Sequence, residues 1–278
     1  MSSITKSSPA ISAKSWQCLS ATSIKLIAIV LMFIDHIHEM FVSMGAPMWL
    51  NLLGRPVFPL FLFLAADSFH YTHSRKNYMT RLLIASWCMT IITTTVTHFV
   101  PNDAIVLANN AFSTFFVTTV YMLAWDVLRR GVREKNPLTL LKGLGIALLP
   151  VISTLPMMVF GQAVDAGVLS EQGVQIAAVI CLMIPSILMV ESGPLYVLMG
   201  LLFYMFRERR AVQIAIAIAF GIFFYAISGG IQWGVALAAI PMLFYSGAKG
   251  RGMKYFFYVF YPTHIVTLYL LATFIMNR

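Results

Sequence analysis

The sequence predicts an all-α fold: a polytopic transmembrane helix bundle. Three observations predict it. Of 278 residues, 59% are hydrophobic and only 10% charged, where a soluble domain carries about 25% charged residues. Apolar runs recur from one end of the chain to the other. The basic residues that give the net charge of +9 cluster in short gaps between those runs, which is the positive-inside pattern of a membrane protein and not the continuous basic face of a nucleic-acid binder. Backbone groups in hydrocarbon must pair internally, and no strand-like alternation is present, so the runs are helices.

Residues 1–23 hold eight serines, Lys6 and Lys14 and no apolar run. They are expected to form a disordered cytoplasmic tail, followed by a single membrane domain over 24–278. No signal-peptide cleavage pattern is visible. Cys18, Cys88 and Cys181 are scattered and form no CxxC pair, so neither a disulfide framework nor a thiolate metal site is expected.

Ten apolar segments follow, near 22–44, 57–73, 78–100, 109–128, 138–160, 172–190, 194–206, 211–229, 231–246 and 255–276. Placing the tail and the gaps with Arg75–Lys76, Arg129–Lys135, Arg207–Arg210 and Lys249–Lys254 on the cytoplasmic side leaves one segment too many. Segment 172–190 contains Pro185 and abuts the turn Glu191-Ser192-Gly193-Pro194. It is read as re-entrant or interfacial, giving nine full spans; ten spans is the alternative.

Ionisable groups inside such helices are costly, and by default each is a candidate site. In "IKLIAIVLMFIDHIHEMF" nine apolar residues, Leu26 to Ile34, run into Asp35, His36, His38 and Glu39. Lys25 and His36, eleven residues apart, lie on nearly one face about 16 Å apart. Glu39 at i+3 can meet His36, whereas Asp35 points about 100° away and needs a partner from another helix. His36 is a candidate general base; a buried polar network that fixes helix packing is an equal reading. His38 is expected at the outer interface. A metal site from His36, His38 and Glu39 is disfavoured because i,i+2 residues diverge.

Further along, Arg55 is expected on the outer side between the first two helices. Asp67, His70 and His73, with Arg75, Lys76 and Arg81, form a cationic cytoplasmic mouth. That mouth is either ordinary positive-inside charge or a site for a phosphorylated ligand. Asn109 and Asn110 open a helix, one of them as N-cap. Glu191 is a turn acid. Tyr261 and His264 lie in the last helix, where His264 is the best candidate to meet His36.

Together "IKLIAIVLMFIDHI", "GRPVFPLFLFL", "THSRKNYMTRLL", "NNAFSTFF", "ESGPLYVLMGLLFYMFR" and "FFYVFYPTHIVTLYLL" resemble, in that order, the TraX family of conjugative pilin acetylases over Ile24 to Leu271. The resemblance implies an inner-membrane, acetyl-CoA-dependent acetyltransferase with a cytoplasmic N-terminus, related to the broader acyltransferase-3 type. It acts on the N-terminal amine of a pilin subunit in pilus biogenesis. It also implies His36 as catalytic, Asp35 and Arg55 in the site, and Tyr261 and His264 near it. Glu39, Asp67, Asn109 and Glu191 are expected to support the site. Two departures fall at the outer mouth: an additional stretch, Gly161 to Val190, and Glu191-Ser192-Gly193 where the family turn usually reads Asp/Ser-Tyr-Gly.

On this reading Lys25, Arg75, Lys76 and Arg81 hold the acetyl-CoA phosphates and the thioester reaches His36. Neither a metal nor nucleic acid is expected; lipid is. The competing readings are an O-acyltransferase acting on a glycan or lipid, a transporter using the buried His and Asp as a proton relay, and a non-catalytic pilus-assembly factor. No internal repeat of the kind transporters usually carry is visible.

Overall fold

The structure is a computed structural model that describes residues 15–277. The expected tail over residues 1–14 lies outside the described residues. The first helix, α1 (Ala21–Phe41), begins at Ser20, whose side chain accepts from the Ser23 N–H as an N-cap. The chain just before it is tied down: Leu19 N–H donates to the Phe244 carbonyl, and Ser246 N–H donates to the Leu19 carbonyl. The expected tail boundary at residue 23 therefore falls inside α1.

Next come α2 (Met48–Gly54), α3 (Val57–Tyr71), α4 (Arg75–Phe99), α5 (Ala111–Glu134) and α6 (Pro137–Ile152). They are followed by α7 (Leu155–Asp165), α8 (Glu171–Leu182), α9 (Pro194–Met205) and α10 (Arg210–Ser228). A 3-10 helix over Ile231–Ala238 leads into α11 (Ala239–Leu243) and then α12 (Lys254–Met276). No β-strand forms among the described residues; one isolated bridge joins Leu19 and Tyr245.

Among the described residues, seven helical segments are long and apolar enough to cross a membrane: 21–44, 48–71, 75–99, 111–134, 137–165, 210–228 and 255–276. The other three expected segments form shorter apolar helices at 171–182, 194–205 and 231–243. Residues 48–54, expected as a connecting loop, are instead helical, and α2 with α3 makes one 24-residue apolar segment. The sequence "MWLNLLG" is itself apolar, and it packs along α1. Arg55 consequently sits at a helix junction within that segment, not in an outer loop.

After α8 the chain is pinned against earlier helices. Trp87 Nε1 of α4 donates to the Met183 carbonyl, Ser153 Oγ donates to the Pro185 carbonyl, and Ile187 N–H donates to the Pro150 carbonyl.

The core lies where α1, α3, α5, α9 and α10 meet, with Leu60, Leu62, Phe63, Met199 and Phe203 fully buried. In lipid, helices associate through close packing and polar contacts because the tails are as apolar as the side chains. Two features here follow that rule. A Cβ on Gly200 of α9 would lie 2.5 Å from Thr118 Cγ2 of α5 and 3.0 Å from Leu62 of α3, so three helices converge on that hydrogen. Below it, Tyr204 Oη donates to Asp126 Oδ2 at 2.6 Å, Arg75 Nη1 pairs with the same oxygen at 2.7 Å, and Arg75 Nη2 donates to Tyr204 Oη at 3.2 Å.

Gly200→Leu drives α3, α5 and α9 apart and is expected to cost about 1–3 kcal/mol, read as a lowered melting temperature of the purified protein in detergent. An unchanged melting temperature would show that the three helices do not meet at this position.

Candidate functional site

Helices α1 and α12 pack side by side, and their starts are held at one end of the bundle. Thr22 Oγ1 donates to the carbonyls of Lys249 (3.1 Å) and Arg251 (2.6 Å), just ahead of α12. Both helices run away from that end, and this brings His36 and His264 together. His36 Nδ1 and His264 Nε2 are 2.7 Å apart, and the rings stack with centroids 4.9 Å apart. Each residue is only 5% exposed.

The second nitrogen of His264, Nδ1, lies 2.7 Å from the Phe260 carbonyl. A carbonyl only accepts, so Nδ1 carries the hydrogen. With both rings neutral, His264 Nε2 must then accept and His36 Nδ1–H must donate. What remains is a lone pair on His36 Nε2, 3.6 Å from Glu39 Oε2.

Asp35 turns away from this pair, as its register requires. Its Oδ1 accepts from Asn51 Nδ2 at 3.0 Å and Arg55 Nη2 at 3.3 Å. Arg55 also donates through Nε to the Asn51 carbonyl and through Nη1 to Gln232 Oε1 at 2.9 Å. Gln232 Nε2 in turn donates to Tyr196 Oη. Gly54 makes the arrangement possible, since any Cβ there would overlap the Asp35 carboxylate. His38, expected at the outer interface, is buried in the protein, with its Nδ1 unpartnered among the described residues. The packing of α2 along α1 covers that end of the helix.

A second polar layer is built on the start of α5. Asn110 is the N-cap, accepting from Ser113 N–H, and its Nδ2 donates to Ser86 and Thr90 of α4. Asn109 Nδ2 donates to both oxygens of Glu39, at 3.0 and 3.2 Å. Glu191 Oε2 accepts from Asn110 N–H at 2.6 Å and from Tyr261 Oη at 3.1 Å. Tyr261 Oη accepts in turn from Ala111 N–H.

All of this opens onto one cavity of about 1560 Å³. Asp35, His36, Glu39, Arg55, Asn109, Glu191 and Tyr261 line one region of it; Lys25, Asp67 and Arg81 line another. Lys25, in the second turn of α1, has its Nζ over the Phe257 ring. The structure thus joins the predicted His36 cluster to Lys25 and to two members of the predicted cationic mouth, Asp67 and Arg81, while His70 and His73 stay outside the lining; His264 stands directly behind His36.

Arg75 and Lys76 are not in the lining. Arg75 is committed to Asp126 and Tyr204 and stacks on Phe69. In their place are four cations that sequence reasoning left among the ordinary basic loops: Arg207, Arg210, Lys249 and Arg251. Arg81 Nε, Arg207 Nε and Arg210 Nη1 are buried without a partner among the described residues. Arg210 packs its guanidinium on Phe63 and Tyr245. Gln232, which orients Arg55, was also missed; it is a lone amide in an apolar run. Among the described residues, no three His, Cys, Asp or Glu side chains are placed to hold a metal ion.

Apolar helices enclosing a deep cavity, with buried histidines at one end and cations at the other, define a multi-pass membrane protein with an internal polar site. The chain belongs to the TraX family: the family model described as "TraX protein" matches residues 20–272. A relative from Dichelobacter nodosus, described as "Probable fimbrial assembly protein FimC, serogroup H1", is 27% identical over 265 residues, covering 90% of this chain and 94% of its own length. No solved structure matches.

Glu191 lies outside the long helices, in the turn before α9. Burial pushes its carboxyl up to about 7, and the nearby Glu39 carboxylate pushes the same way, against the hydrogen bonds from Tyr261 and Asn110. A carboxyl raised in the folded state costs nothing below its unfolded value near 4.5, and costs progressively more as pH rises towards 7. The melting temperature should therefore fall between pH 5 and pH 7, and Glu191→Gln should flatten that slope. An identical slope in the variant would contradict the shift.

Proposed function

We propose that this protein is an acetyltransferase of the bacterial inner membrane, moving an acetyl group from cytosolic acetyl-CoA to the N-terminal amine of a pilin subunit. The observation that carries this reading is the single cavity, which links a cluster of partnerless arginine N–H groups to the free lone pair of His36. A pilus-linked acceptor is supported by the fimbrial-assembly description of the Dichelobacter nodosus relative. The N-terminus is cytoplasmic on this reading, because the basic loops then face the compartment that holds acetyl-CoA.

The phosphates of acetyl-CoA bind Arg81, Arg207, Arg210, Lys249 and Arg251, whose forks and charges suit them. The pantetheine arm follows α1 past Lys25 for about 16 Å to His36. The acceptor ammonium loses one proton, and its nitrogen attacks the thioester carbon. His36 Nε2 takes a second proton as the C–N bond forms, and returns it to sulfur as the C–S bond breaks. One proton is released per acetyl group transferred.

His264 is a positioning residue: through Phe260 it holds His36 in the tautomer that leaves Nε2 free. Arg55 is better placed than Tyr261 to stabilise the oxyanion. Two of its five N–H groups are uncommitted, whereas the Tyr261 hydroxyl hydrogen goes to Glu191.

In nanodiscs with labelled acetyl-CoA and purified pilin, His36→Ala should lower transfer by about 100-fold or more, read by intact mass of the pilin. Transfer at the wild-type rate would overturn the role of His36. Arg210→Ala should raise KM for acetyl-CoA with kcat nearly unchanged; an unaltered KM would remove Arg210 from the donor site.

A further inference from the structure

The charges lining the cavity are sorted by position. Towards the start of α1 and the end of α3 stand Lys25, Arg81, Arg207, Arg210, Lys249 and Arg251, against Asp67 alone. Around His36 the balance reverses: Asp35, Glu39 and Glu191 stand against Arg55 alone. Arg55 gives its contacts to Asp35, Asn51 and Gln232. Among the described residues no Lys or Arg forms an ion pair with Glu39 or Glu191. Their partners are the Asn109 amide, the Asn110 N–H and the Tyr261 hydroxyl.

Beyond the two N–H groups that Arg55 leaves uncommitted, the same region is rich in hydrogen-bond acceptors and short of donors. His36, more than nine-tenths buried, presents the Nε2 lone pair beside Glu39 Oε2. Asn109, also more than nine-tenths buried and in the cavity wall, has its Oδ1 unpartnered among the described residues. Its amide cannot be turned round to remedy this, because both Glu39 oxygens need the Nδ2 hydrogens. Two carboxylates, an imidazole lone pair and an amide oxygen thus surround one space, and what they lack is a compact group with several N–H donors and a positive charge.

We propose that Glu39 and Glu191 form a cation subsite that seats the primary ammonium of the acceptor beside His36 Nε2. The assignment rests on the acetyltransferase reading for the identity of the acceptor, but the subsite is defined by its own charge and donor balance. The two carboxylates are anchored on consecutive residues, Asn109 and Asn110, at the start of α5, so a single small cation can contact both. Glu191, pushed upward by burial and further by the nearby Glu39, favours its ionised form when that cation arrives. A hydroxyl acceptor brings one donor and no charge and leaves the carboxylates uncompensated. Selectivity for an amine therefore resides in Glu39 and Glu191, while His36 acts equally on either kind of nucleophile.

The test separates binding from transfer. A fluorescent Ala-rich peptide, with its α-amine either free or acetylated, is titrated into the protein in nanodiscs without acetyl-CoA. The free-amine form should bind at least about tenfold more tightly, and raised salt should narrow the gap. Glu39→Gln, Glu191→Gln and the double variant, each checked as monodisperse, should reduce or abolish the preference. Equal binding of the two peptides to the wild-type protein, or an undiminished preference in the double variant, overturns the subsite. Acetyl transfer to purified pilin is scored separately. Amine preference without transfer would sink the acetyltransferase reading and leave the subsite standing; transfer with amine affinity unaltered in the double variant would do the reverse.

Discussion

The hydrogen bond between His36 and His264 is the contact on which the rest of the site depends. Two imidazoles 2.7 Å apart in a buried, apolar stretch are held there only because α1 and α12 start together and run the same way. Burying a polar ring costs free energy unless its nitrogens are satisfied. The pair satisfies three of its four, through each other and the Phe260 carbonyl. The fourth, His36 Nε2, is the exception, and it is the one that faces the cavity. An exposed histidine would reorient and exchange tautomers freely; this one is fixed by a second histidine and a helix carbonyl.

Around that pair the acids are sorted by the partners that neighbouring elements bring to them. Asp35, one residue from His36, is rotated towards α2 and is neutralised by Arg55. Glu39, three residues on, lies 3.6 Å from His36 Nε2 and pairs with no Lys or Arg among the described residues. Asp35 and Glu39 are i,i+4 neighbours only about 40° apart, so their different chemistry comes from what meets them: Asn51 and Arg55 reach Asp35, and Asn109 reaches Glu39. At the other end of the cavity, Arg75 is spent on holding α4 to α5 and α9, while Arg207 and Arg210 keep unpartnered donors. Charges of the same type and similar position along the chain thus divide into structural and available ones.

Much of this was legible in the sequence, because helix geometry is local. The Lys25–His36 line, the reach of Glu39 to His36 and the need of Asp35 for an outside partner follow from spacing alone, and His264 stood out as a histidine inside the last apolar helix. The N-cap at the Asn109–Asn110 pair was legible too. What was not legible depends on long-range packing. Arg75 and Arg210 both look like positive-inside charge, and only the fold decides which one meets Asp126. Gln232 gives no signal in an apolar run until the 3-10 helix around it lies against Arg55. Residues 48–54 read as a loop because their seven residues are too few to announce a helix. Helix α1, by supplying a wall for them, makes one.

The most direct test of the account is the protonation pattern of the two histidines. Nitrogen-15 NMR of histidine-labelled protein in bilayers at pH 8, with His36→Gln and His264→Gln for assignment, reports which ring nitrogen bears hydrogen. The account predicts His264 protonated at Nδ1 and His36 protonated at Nδ1 with a bare Nε2. A His36 ring protonated at Nε2 would leave no lone pair facing the cavity and would contradict the proposed chemistry at its origin.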